Sequence, residues 1–348
     1  MVRTRPDDDF MHQPDDALQF NESVYYNFGD RTRDLGGFLR IGNRVNEGYA
    51  EVSICLFLPG GTVAFWYLKP PISSNDGHDA GGLRCETVEA HTVHTVHYDG
   101  EVVVLAEPAQ MEEPRSAFKE NPHEPCLVDL TFRSVADTFW PWVSVPDENG
   151  EDGPLEGFDA LLRDGFTRNH LNQHMTVTGT VTVGDRSFTI DDGLGWRDRS
   201  WGARSWASVD MYRWTSVSLG PDLGLAIMVF GDEDGSTYPR GYVHHGRQAP
   251  PSRIVEARYE TDYDDRWYAR AVTVTVSTED GGTYTIEGDV KGHIPLRFRR
   301  GEQLTRTTEA LMQWRCGQPG KDQLVGVGIL EYLDQMIDGR PSGTLHGA

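Results

Sequence analysis

Apolar and polar residues alternate along most of this chain in short runs separated by glycine, proline and acidic clusters, the period-two signature of half-buried strands. Ala50 to Leu58 and Thr62 to Leu68 flank Pro59-Gly60-Gly61 and predict a hairpin with a glycine turn, preceded by Gly36 to Gly42. Strands are expected again at Leu83 to Ala90, Thr92 to Tyr98, Glu101 to Ala106 and Leu127 to Val135, with Tyr98-Asp99-Gly100-Glu101 as a turn. Lys69 to Gly82, residues 107 to 125 and Pro146 to Gly157 read as polar loops, and Phe158 to Phe166 as a short helix. His170 to Val183 and Ser187 to Ile190 make a second hairpin around Gly184-Asp185-Arg186.

The pattern then becomes more regular. Tyr212 to Leu219, Leu225 to Phe230, Thr237 to His244, Ile254 to Tyr259, Trp267 to Ser277, Thr283 to Val290, Ile294 to Arg299, Thr305 to Cys316 and Leu324 to Leu333 read as successive strands. Such a series removes its exposed edges by closing into an up-and-down barrel. At 348 residues the chain has room for two domains, and its 38 Gly and 19 Pro agree with a turn-rich, all-β protein. The expected organisation is a flexible acidic tail over 1–20, an antiparallel barrel over 21–191 and a second over 192–348.

Fifty-four acidic residues against 32 basic ones give a net charge of −22, a field that repels phosphate backbones and argues against nucleic acid as a partner. Part of this acidity lies in Asp7-Asp8-Asp9 and Asp15-Asp16 of the tail, read as solvated. Cys55, Cys85, Cys126 and Cys316 form no Cys-x-x-Cys pair and are expected as reduced thiols of a cytoplasmic protein. No signal-peptide core opens the chain, and runs such as Val52 to Leu58 and Leu223 to Phe230 are too short for an integral membrane segment.

One stretch concentrates the candidate chemistry. Residues 193 to 206 hold three Trp, three Arg and one Asp between glycines. In an extended conformation Trp196, Asp198 and Ser200 share one face and Arg197, Arg199 and Trp201 the other. Asp198 beside indoles is a candidate proton donor, whereas pairing with Arg197, Arg199 or Arg204 would make it a structural clasp, and the sequence leaves both open. His170, Asn172 and His174 share a face of the preceding strand with Gln173 opposite; no third ligand completes a metal site, so neither metal nor cofactor is expected. His91, His94 and His97 likewise fail to share a strand face. Phe139-Trp140-Pro141-Trp142 reads as packing at a turn or a pocket mouth, and Glu331 beside Tyr332 places a carboxylate inside the last barrel or outside it. No P-loop, dinucleotide fingerprint or Gly-x-Ser-x-Gly elbow is present.

At this motif the chain resembles the AttH and hydroxyneurosporene synthase (carotenoid 1,2-hydratase) group of tandem lipocalin-like proteins, which carry Gly-x-Gly-[aromatic or polar]-x-Asp-His-[Asn/Ser]-Trp-Gly. Gly193, Gly195, Asp198, Ser200, Trp201 and Gly202 match. Arg197, Arg204, His170, Gln173 and Gly179 further resemble an actinobacterial branch of that group. The resemblance implies two lipocalin-like (calycin) β-barrels with an apolar cavity between or within them. It also implies hydration, dehydration, isomerisation or cyclisation of an isoprenoid, steroid or polyketide-like molecule. Asp198, Arg199 and His170 are then the candidate catalytic residues, and Trp196, Trp201, Arg204, Trp206, Gln173, Trp214 and Tyr212 the candidate substrate contacts. Arg199 departs from the family histidine and, as a permanent cation, cannot shuttle protons near neutral pH.

Two functions of different kinds therefore stand. One is a cofactor-independent enzyme in which Asp198 protonates a double bond; the other is a non-catalytic carrier of a hydrophobic metabolite, motivated by Arg199. A barrel pair serving only protein interaction would need a fully packed interior.

Overall fold

The long alternating strands pair with their chain neighbours, and in the computed structural model residues 5–139, 169–204, 210–232, 235–247, 249–317 and 323–345 are described. In the first sheet β1 (Phe20–Asp30), β2 (Gly36–Arg44), β3 (Tyr49–Phe57) and β4 (Val63–Leu68) meander to one side of β10 (Arg186–Ala203). On its other side follow β9 (Asn169–Val183), β8 (His123–Ser134) and β7 (Val93–Leu105). Val63, Ala64 and Phe65 pair with Leu105, Val104 and Val103, which joins β4 to β7 and closes the barrel. Beyond β7 the sheet continues through β6 (Leu83–Glu89) and β5 (His78–Ala80).

The second sheet runs in chain order from β11 (Met211–Ser218) through β12 (Gly224–Gly231), β13 (Thr237–His244), β14 (Ser252–Tyr263), β15 (Ala269–Thr278), β16 (Thr283–Arg300) and β17 (Gln303–Cys316) to β18 (Leu324–Ile337). Pairing of β11 with β18 closes it, and β19 (Arg340–Pro341) adds to β18. The all-β, two-barrel expectation holds. Among the described residues no helix is long and apolar enough to cross a membrane.

Several boundaries differ. The wholly buried β1 carries Asn21, Glu22, Ser23 and Asn27 among its apolar residues, and these polar positions hide its period in the sequence. Tyr98-Asp99-Gly100-Glu101 is no turn: β7 runs through it, paired with β8 along its length. Thr283 to Arg300 is one strand with a register shift between Val290 and Gly292. Residues 107 to 125 include the helix α1 (Pro114–Glu120). The helix expected at Phe158 to Phe166 lies outside the described residues.

Two differences bear on the site. The motif belongs to β10, which pairs with β1 and β9, so residue 191 falls inside a strand of the first barrel and the second sheet starts at Met211. The start of the chain also packs against the first barrel: Asp9 is buried and paired with Arg197, and His12 stacks on Trp201 with ring centroids 4.0 Å apart.

Each barrel has its own apolar interior, around Tyr26, Phe28 and Phe132 in one and Tyr259, Met312 and Trp314 in the other. A further core lies between the barrels. Tyr25, Phe38, Phe57 and Phe65 of the first meet Trp214, Met228, Phe230 and Ile329 of the second, and such aromatic area makes a firm seam.

Candidate functional site

Strand register lays the outward faces of the two barrels side by side as rows of side chains. Pairing of Tyr67 with Ser53, Ser53 with Arg40, Arg40 with Tyr25, Tyr25 with Asp198 and Asp198 with Asn172 makes one row across β4, β3, β2, β1, β10 and β9. The next row towards the seam is Phe65, Cys55, Phe38, Asn27, Trp196 and His174. In the second barrel Met228, Trp214, Glu331, Glu309 and Ile294 are aligned across β12, β11, β18, β17 and β16. Where these faces part, they enclose about 980 Å³ of empty space, including the mouth open to solvent. Tyr25, Asp198, His170, Arg204, Tyr212, Trp214, Glu309 and Glu331 line it together with Phe38, Met228 and Phe230.

The carboxyls are the chemical centre of this cavity. Glu309 and Glu331 face each other across the β17–β18 pair, a position where two like charges destabilise a sheet. They resolve the conflict by hydrogen-bonding to each other. Burial, and then the charge of Glu331, pushes the Glu309 carboxyl well above the usual carboxylate range, which favours its protonated form. Burial also raises Glu331, opposed by the Tyr212 hydroxyl that donates to it and by Arg204. Tyr25 donates to Glu309 at 3.5 Å, and burial with the charges of Glu309 and Glu331 pushes its phenol up as well. Across Tyr25, Asp198 is hydrogen-bonded to Nε2 of His170 and accepts from Nδ2 of Asn172 at 2.9 Å. Hydroxyl and carboxyl groups thus face one apolar space from both barrels.

Of the residues singled out in the sequence, Asp198, His170, Arg204, Tyr212, Trp214 and Glu331 line this cavity. The others are elsewhere. Trp196 is fully buried at the seam, stacked on His174, and donates from Nε1 to Ser218 of the second barrel at 3.0 Å. Arg199 points to the opposite face of β10, where it pairs with Glu22 at 2.5 Å and donates to the Phe10 carbonyl. Gln173 shares that inner face and donates to the carbonyls of His91 at 2.7 Å and Ala136 at 3.2 Å. Trp201 covers His12. Trp206 lies outside the described residues, as do Trp140 and Trp142. Glu331 turns outward from its barrel, into the cavity, while Tyr332 turns inward.

Glu309, Tyr25 and Arg40 escaped the sequence reading. Each is a polar side chain within an apolar strand, and for Glu309 the one available signal was its place in Thr-Thr-Glu-Ala-Leu-Met. Among the described residues no group of three or more His, Cys, Asp or Glu is arranged to hold a metal ion. His94, buried inside the first barrel beside Asp9 and Arg197, is pushed down to about 2 by burial and by Arg197, and stays neutral.

Two antiparallel barrels in tandem, joined by an apolar seam with a ligand-sized cavity in it, define a protein of the tandem lipocalin-like, AttH-like architecture. The chain belongs to the family described as Domain of unknown function (DUF7064), whose model matches residues 5–336. No curated protein matches it in sequence. Among solved structures it is similar to CghA, with a TM-score of 0.57 and 10% identity over 91% of this chain and 88% of that one, and CghA has also been solved with Sch210972. Kievitone hydratase from Nectria haematococca superposes with a TM-score of 0.55 and 13% identity over 90% of this chain and 88% of its own. An AttH-type protein from Nitrosomonas europaea gives 0.50 and 13% over 90% and 92%. At these identities the likeness is one of fold.

Proposed function

We propose that this protein is an enzyme that adds or removes water across a double bond of a hydrophobic small molecule by acid–base chemistry, or isomerises or cyclises the same kind of substrate. The observation that carries this reading is the Glu309–Glu331 pair, a neutral carboxyl beside its partner in an apolar cavity that also holds Asp198 and His170. In the hydration direction Glu309 transfers its proton to one alkene carbon, and the π electrons form the new C–H bond. The adjacent carbon becomes cationic, and the faces of Trp214 and Tyr25 stabilise it. Water adds there, forming the C–O bond, and loses its proton to Asp198 with His170 alongside. In dehydration every transfer reverses and Asp198 is the acid. An internal nucleophile in place of water gives a ring, and proton loss from a neighbouring carbon gives an isomer.

Arg199 takes no part in this scheme, so a histidine at its position is not required. Kievitone hydratase, a protein of the same fold, is by its name a hydratase, which agrees with hydration. An isoprenoid, steroid or polyketide-like skeleton suits the apolar walls, and no cofactor enters the scheme. Glu309→Gln keeps the shape and neutrality of the protonated acid while removing its proton, and it should lower turnover of a substrate recovered from cell extract by about 10²–10⁴-fold with affinity little changed. Undiminished turnover overturns the acid assignment. Stoichiometric binding with the ligand recovered unaltered makes the protein a carrier.

A further inference from the structure

The cavity contains two guanidinium groups as well as its carboxyls. Arg40 and Arg204 both line it, Arg40 in the row of side chains farther from the apolar seam. They stand close enough to repel: burial first, and then the charge of Arg40, pushes Arg204 down to about 10. Arg40 pairs with Glu51 at 3.5 Å, and Glu51 is shared with Arg44 at 3.4 Å and Lys69 at 3.4 Å. Arg44 also pairs with Glu47 at 3.0 Å, so three cations gather around two carboxylates at this rim, within a chain whose net charge is −22. An acidic protein repels anions over its surface as a whole, so a locally cationic pocket end is a selective feature.

We infer that the substrate carries an anionic head, a carboxylate or an acidic enol, held between Arg40 and Arg204 with its apolar body along Phe38 and Phe230. Guanidinium groups suit planar oxyanions because their N–H donors match both oxygens. The register sets the reach. Arg40, Tyr25 and Asp198 are aligned on three successive strands, so Arg40 stands two strand spacings, about 10 Å, from Asp198. Arg204 is also attracted by Asp198 and Glu331, which line the same cavity. A molecule anchored by its head then presents a bond several carbons away to the carboxyls. Only this last placement rests on the acid–base reading; the anion subsite does not.

The test is a direct binding measurement with cis-parinaric acid, a conjugated fatty acid whose fluorescence rises on leaving water, against its methyl ester. The wild-type protein should bind the acid at least about tenfold more tightly, the scale of one charge-assisted contact. Arg40→Gln and Arg204→Gln should each erase most of that preference while binding the ester as the wild type does, and Arg40→Lys should keep part of it. Equal binding of acid and ester by the wild type, no binding of either, or a preference that survives in the Arg40→Gln/Arg204→Gln double variant overturns the subsite. Glu309→Gln should retain the preference in full. A preserved preference with no turnover of any anionic substrate therefore counts against the acid–base reading and not against the anion subsite.

Discussion

Replacing Asp9 with alanine leaves the Arg197 guanidinium inside the first barrel without its carboxylate. Both residues are 1% exposed, and they belong to segments 188 residues apart in the chain. The other hydrogen-bond contact of Arg197 is Nδ1 of His94 at 3.4 Å, a neutral ring, and its Nε and Nη2 have no hydrogen-bond partner among the described residues. Asp9 also accepts the His91 backbone N–H at 2.6 Å, which the substitution orphans. Breaking a buried pair from one side costs about 3–5 kcal/mol, because the remaining charge stays desolvated. At about 2–4 °C per kcal/mol for a domain of this size, the first barrel should melt about 6–20 °C lower.

Differential scanning calorimetry, with urea unfolding at neutral pH, measures this directly. Asp7→Ala, at an exposed position of the same acidic run, is the control and should stay within about 0.5 kcal/mol of the wild type. Adding Arg197→Met to Asp9→Ala should recover much of the loss, since an apolar side chain leaves no buried charge. The pH dependence has a definite sign. Burial raises the Asp9 carboxyl, but Arg197 together with the His94 and His91 contacts outweighs it and holds it below its usual 3.8, so its contribution is complete above that value and lost as pH falls through the folded-state value. A melting point for Asp9→Ala equal to that of Asp7→Ala would falsify the buried-latch argument and return residues 1–20 to a solvated tail.

Trp196→Phe and Ser218→Ala each break the hydrogen bond that ties β10 to β11, leaving a buried partner unsatisfied at about 1–3 kcal/mol, but Trp196 does not line the cavity. Urea unfolding should show that loss, and ligand affinity per folded molecule should stay within twofold or so of the wild type; a collapse of affinity in a fully folded Trp196→Phe protein refutes the clasp assignment. Arg199→His, which writes the family histidine into the motif, should destabilise the fold by about 3–5 kcal/mol through the abandoned Glu22 carboxylate and bring no gain in turnover. A gain would mean that this inner face communicates with the reaction. Glu309 is raised above the usual 4.5, so wild-type stability should decline as pH rises from that value towards the folded-state one; Glu309→Gln should flatten this alkaline decline, and an identical slope in both proteins argues against a protonated Glu309.

The alternation of side chains made much of this architecture legible. In the second barrel β15 follows a clean period of two, and the two faces of β10 divide as the extended reading of residues 195 to 201 requires, with Asp198 on the cavity side and Arg199 inside the barrel. What stayed hidden depends on distant pairing. The partnership of Asp9 with Arg197 and that of Glu309 with Glu331 exist only once the strands are in register, and no local pattern announces either. β1 was concealed because its polar residues are buried, Glu22 among distant groups: Arg199 and His12, with Asn75 at 2.7 Å. A residue that looks solvated in isolation can be the partner of another that looks unpaired.

This division explains why one short motif holds both indoles and ions. At Gly195 an added Cβ would lie 2.0 Å from the Asn27 carbonyl, so only glycine lets β10 approach β1 closely at that point. That approach sets the level of the next residues on both faces. On the inner face Arg197 and Arg199 reach Asp9 and Glu22, whose carboxylates hold the start of the chain against the barrel. On the outer face Trp196 reaches Ser218 and fixes the second barrel, and two residues on, Asp198 faces the cavity that this docking creates. Clasp and site are therefore not competing assignments of the same residues. The aromatic and arginine positions set where the barrels sit, and that placement is what allows the Asp198 carboxyl of one barrel to share a cavity with the Glu309–Glu331 pair of the other.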